Sequence, residues 1–204
     1  MNQSQKRIVT ICLPNNGFEQ VATIYLEQDS PYKLIESLRG NWKPELKKTQ
    51  SYFGNCEIGE VLPIHNSSGI RDQEQISQMQ ENLKVGQDIL EKDQLPNIKL
   101  VVAPNQKLLL FDGHHSLLSY FSHGKRFMRE IPYIIISSEN YREVSSEEIS
   151  YFFPENSREE IMKDWKRFTV NWQANVGEQL EVRKVYSIAD LASELSKRNK
   201  GAVE

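Results

Sequence analysis

The sequence predicts an α+β fold: short β-branched runs suited to strands alternate with stretches whose apolar residues recur three and four apart, and turn-forming residues separate the two kinds. Hydrophobic residues make up 38% of the 204-residue chain and charged residues 26%, which supplies a core and excludes charge-driven disorder. That length suits one main domain, expected over residues 1–138, with a helical extension over residues 139–204 packed on it.

The elements follow in order. Ile8-Val9-Thr10-Ile11-Cys12 reads as a strand entering the turn Pro14-Asn15-Asn16-Gly17, and residues 18–26 read as a second strand. Pro31 behind Asp29-Ser30 marks a helix start, Leu34, Ile35 and Leu38 form its apolar face, and Gly40 stops it. Residues 58–64 look extended and lead into the polar loop His65-Asn66-Ser67-Ser68-Gly69. Ile76, Met79 and Leu83 put an amphipathic helix over residues 72–85, with Gly86 just past its end.

Two apolar runs, residues 98–103 and 107–111, flank Pro104-Asn105-Gln106 and predict a β-hairpin. Residues 114–122 are apolar on all sides, as a buried helix is, and residues 131–136 form a further strand with Pro132 near its start. Beyond Ser138 helices are expected at 145–151, 157–168 and 187–197, with Trp165, Phe168 and Trp172 docking the extension and the residues from 197 onward frayed.

A formal net charge of −3 gives no global basic field, so a nucleic-acid partner is possible but not favoured. Cys12 and Cys56 lack CxxC spacing and suit small apolar positions. No apolar run is long enough to span a membrane and no signal-type leader is seen, so a soluble, cytoplasmic protein is expected.

Chemistry concentrates in Phe111-Asp112-Gly113-His114-His115-Ser116, where a strand passes directly into a helix. The amides of a first helical turn are unpaired and lie at the positive end of the helix dipole, which suits an anion. Gly113 permits close approach of a ligand or neighbouring backbone, and Asp112 can orient a histidine or hold a divalent ion. His114 and His115 supply groups able to donate, accept or change charge near neutral pH.

The stretch KLLLFDGHHSLLSYFSHGKRFMREIPYIII resembles the core motif of the ParB/sulfiredoxin-like superfamily: strand, DGHHR, helix, glycine and an IPV strand. Upstream, Glu60-Val61-Leu62-Pro63-Ile64, the helix, Gly86 and Leu95-Pro96-Asn97-Ile98 are similar to the family's LxP segment, helix, glycine and PI-V strand, extending the resemblance over residues 58–137. It implies a small mixed sheet with packed helices that binds a nucleotide (ATP, ADP or CTP, with a magnesium ion) or another phosphorylated small molecule, and a phosphotransferase is one outcome. Gly113, His114, His115 and Ser116 would then hold phosphate and Asp112 would position magnesium, with His65 or Glu74 as base. The alternatives are a non-catalytic binding or regulatory module, nucleic-acid associated in one version, or a ParB-like nuclease.

The chain departs from the family at Ser116, where an arginine is usual; Lys99, Lys107, Lys125 and Arg126 are the cations that would compensate. The reactive cysteine of the sulfiredoxin branch has no counterpart, since His114 stands there.

Overall fold

β1 (Lys6–Asn15) and β2 (Phe18–Glu27) form an antiparallel hairpin in continuous register from Lys6 opposite Glu27 to Asn15 opposite Phe18. Both turn residues have positive φ, Asn16 at 47° and Gly17 at 83°, the geometry whose twist matches paired strands and which Asn-Gly adopts readily. The computed structural model describes residues 6–27, 31–39, 45–63, 70, 72–102, 108–138 and 187–201. The helices expected at 145–151 and 157–168, and Trp165, Phe168 and Trp172, lie outside the described residues.

The remaining elements are α1 (Pro31–Leu38), β3 (Lys47–Lys48), β4 (Leu62–Pro63), α2 (Gln73–Lys84), β5 (Lys99–Val102), β6 (Leu108–Asp112), α3 (His114–Ser122), β7 (Tyr133–Ser138) and α4 (Ile188–Gly201). The strands form one seven-stranded sheet in the order β3-β2-β1-β7-β5-β6-β4. β5 runs parallel to β7 and β4 parallel to β6, while the other neighbours are antiparallel, so the α+β fold is built on a mixed sheet.

Alternation along the strands divides the core in two. Val101, Leu109, Phe111, Ile134 and Ile136 meet Leu34, Ile35 and Leu38 of α1 on one face. On the other, Leu100, Val102, Leu108, Leu110 and Ile135 pack with Leu83 of α2, Leu117, Leu118 and Tyr120 of α3, and Ile188, Leu191 and Leu195 of α4. β5, β6 and β7 are covered on both faces, which explains their nearly uninterrupted apolar sequences.

Two boundaries differ from the sequence reading. Residues 58–64 were expected to be extended, but Ile58–Glu60 is a turn of 3₁₀ helix that precedes β4. Ile58 and Val61 are both buried in the same cluster, and residues three apart share a face in a helical turn but not in a strand. α4 continues to Gly201, beyond the fraying expected from 197; its buried Ile188, Leu191 and Leu195 dock near α3. Ser187 caps its start by accepting from Asp190 N at 3.2 Å.

The pairing of β5 with β6 shifts register between Lys99 and Leu100: Leu100 faces Leu110, and Lys99 faces Asp112. This bulge brings the two charged residues opposite one another at the end of the sheet. Gly113, between β6 and α3, has φ 85°, and a Cβ there would lie 2.6 Å from Asn97 O and 2.8 Å from Ile98 Cα. Backbone meets backbone at that point, so no rotamer change relieves the clash. Gly113→Ala is expected to cost about 2–4 kcal/mol of folding stability, from the left-handed backbone and the overpacking together. Urea denaturation measures it, and an unchanged midpoint would contradict the close packing.

Candidate functional site

Gly113 is the N-cap of α3, and no side chain caps the helix. Asp112 lies one residue before this cap, and its oxygens are engaged locally: Gly113 N donates to Oδ1 at 2.9 Å and Lys99 Nζ to Oδ2 at 2.9 Å. With both oxygens so engaged, Asp112 does not cap the first-turn amides of α3, those of residues 114–116. A cleft of about 280 Å³ lies over them, walled by residues 112–116, by Ile70, by Gln75 and Met79 of α2, and by Asn97.

The two histidines diverge because successive helical residues point about 100° apart. His114 is buried at 6% exposure, whereas His115 is half-buried. Its Nε2 is shielded from water and has no hydrogen-bond partner among the described residues. Burial lowers the His115 pKa by penalising the imidazolium, and the Asp72 carboxylate partly opposes the shift. Asp72 itself caps α2, accepting from Gln75 N at 2.8 Å.

Lys99 is 1% exposed. Its ammonium donates to Glu91 Oε1, to Asn97 O at 3.1 Å and to Asp112 Oδ2 at 2.9 Å, so each of its three N–H groups has an acceptor. Glu91 also receives Arg39 Nε at 3.3 Å, which ties the end of α1 into the same charge network. Lys99 thus reaches the turn through Asp112, not as an open cation. Ser116, in the position of the family's arginine, is 1% exposed and turns its Oγ toward Met79 Sδ at 3.8 Å.

Of the other expected residues, Glu74 is exposed in the first turn of α2, and its neighbour Gln75 is the one that walls the cleft. His65 and Lys107 lie outside the described residues. Lys125 lines a different cleft, and Arg126 lies with its guanidinium 6.0 Å from the Phe121 ring centroid. Gln75, Met79 and Asn97 were not singled out from the sequence. Met79 carried a helix-spacing signal that pointed only to a core role, and Asn97 is set by the close approach of Gly113.

Among the described residues, no group of three His, Cys, Asp or Glu side chains is placed to hold a metal, and no helix is long and apolar enough to cross a membrane. Comparison with protein-family models, with curated proteins and with solved structures gave no match.

The His115 shift has a sign that can be checked. Its folded pKa lies below the unfolded value, so the unfolded chain binds more protons between the two, and stability rises as pH rises through that window and is lost as pH falls through it. NMR titration of the His115 imidazole is expected to give a pKa below the ordinary histidine value, moving upward when an anion binds. An unliganded value at or above the ordinary one would contradict the dry setting of Nε2.

Proposed function

We propose that the chain is a ParB/sulfiredoxin-like domain that binds the phosphate of a nucleotide or other phosphorylated small molecule at the turn from Asp112 to Ser116. The observation that carries this reading is the cleft at the start of α3, where N-cap Gly113 makes no side-chain cap bond and the lining includes His115, whose buried Nε2 has no partner among the described residues. Amides of a first helical turn donate to phosphate oxygens, and a protonated imidazole adds a charge-assisted donor. The cleft, at about 280 Å³, lies just under the usual range of small-molecule sites, so part of a nucleotide triphosphate would extend beyond it.

Binding is better supported than phosphoryl transfer. Asp112 fits a protein-held magnesium ion poorly: Lys99 offsets its charge, and both oxygens already accept hydrogen bonds. It is also the only carboxylate among the described residues that wall the cleft, which leaves no second acid as a base. These features favour the non-catalytic alternative within the same reading.

Isothermal titration of ATP, ADP and CTP, with and without magnesium, tests the proposal against His115→Ala. Wild type is expected to bind with little dependence on magnesium, and the variant to bind roughly tenfold more weakly, the loss of one hydrogen bond to a charged group. Equal binding by both proteins, or no binding by wild type, would exclude the turn as the phosphate site.

A further inference from the structure

A second cleft, of about 870 Å³, opens between the tip of the β1–β2 hairpin, residues 48–50, Asp88 and the segment carrying Lys125, Arg129 and Glu130. Phe18 stands in its wall 56% exposed, with Lys48 Nζ 3.4 Å from its ring centroid. The Asn16-Gly17 turn sets the hairpin without help from that ring, so folding does not require the exposed aromatic.

The wall carries three cations, Lys48, Lys125 and Arg129, and three acids, Glu19, Asp88 and Glu130. The acids are held by the protein. Glu19 accepts from Ser51 N at 2.9 Å and from the Tyr133 hydroxyl at 3.2 Å. Asp88 accepts from the Tyr120 hydroxyl at 3.0 Å, and Glu130 Oε2 from the amides of Arg126 and Phe127, each at 2.7 Å. Those two amides, with Lys125 and Arg129 nearby, hold the Glu130 pKa below its ordinary value against the opposing effect of burial.

The cations are less committed. Among the described residues Lys48 and Lys125 make no ion pair. Arg129 gives Nη1 to Asn55 and rests its guanidinium 4.4 Å from the Phe127 ring centroid, which leaves other N–H groups to donate. The cleft therefore joins an exposed aromatic ring, over which Lys48 lies, to cations that make no ion pair among the described residues.

We infer that this cleft binds a planar aromatic monophosphate of the nucleoside monophosphate class, its base taking the place of the Lys48 ammonium over Phe18 and its phosphate held among Lys48, Lys125 and Arg129. The volume falls in the range of small-molecule sites, and aromatic stacking accepts any base. Equal numbers of acids and cations argue for one phosphate over a polyanion, whose binding grows with the cations it meets. This site is independent of the one at α3, which is lined by different residues.

The test is amide-resolved NMR of the full chain titrated with AMP, adenosine and inorganic phosphate. AMP is expected to shift the amides of Gly17, Phe18, Thr49 and Lys125, with adenosine and phosphate each far less effective at the same concentration. Phe18→Ala and Lys125→Gln should each weaken AMP binding roughly tenfold. Both alter solvent-accessible positions, so the fold should persist, and the unperturbed amide spectrum reports it. Shifts at both clefts support the inference if Phe18→Ala moves only those near the hairpin to roughly tenfold higher AMP concentration. Shifts confined to Gly113, His114, His115 and Ser116 would overturn it while leaving the phosphate site at α3 in place. No shifts at millimolar AMP, or equal shifts with phosphate alone, would also overturn it.

Discussion

Burying the Lys99 ammonium in the sheet imposes a condition on everything around it: each N–H group must find an acceptor, because water cannot reach it. Glu91, the Asn97 carbonyl and Asp112 meet that condition. The register shift of β6 against β5 places Asp112 opposite Lys99, and the next residue, Gly113, is then pressed against the backbone of Asn97 and Ile98. α3 can start there only from a left-handed glycine. The same arrangement engages Asp112 with Lys99 and Gly113, so it does not cap the helix.

This arrangement has a chemical consequence. A carboxylate beside an anion site would ordinarily repel the ligand, but Lys99 offsets Asp112 at close range. No open lysine or arginine occupies the described wall of the α3 cleft, so attraction there comes from peptide dipoles and from the protonation of His115. A site of that kind would gain affinity for anions as pH falls.

Local patterns made much of the fold legible. The Asn16-Gly17 turn, the spacing of Leu34, Ile35 and Leu38, and the apolar residues of α2 each specify an element within a few residues, and the sequence placed all three. Segments whose form depends on distant partners were harder. The turn at Ile58–Glu60 is shaped by burying Ile58 and Val61 beneath α3 and α4, and α4 is extended by docking its apolar face. At the site, Gly113 and the histidines stood out because the strand ends and the helix begins without a loop. The engagement of Lys99 could not be read locally, since Glu91 and Asp112 reach it through tertiary pairing. The buried Glu19, held by Ser51 and Tyr133, was missed for the same reason: its partners are far away in sequence.

The central claim is that the start of α3 is a phosphate site, and a crystal structure grown in inorganic phosphate tests it most directly. The expected result is an anion within about 2.7–3.2 Å of first-turn amides of α3 and of His115 Nε2. A protein side chain seated on those amides, with His115 Nε2 bonded to the protein and no anion in the cleft, would contradict it.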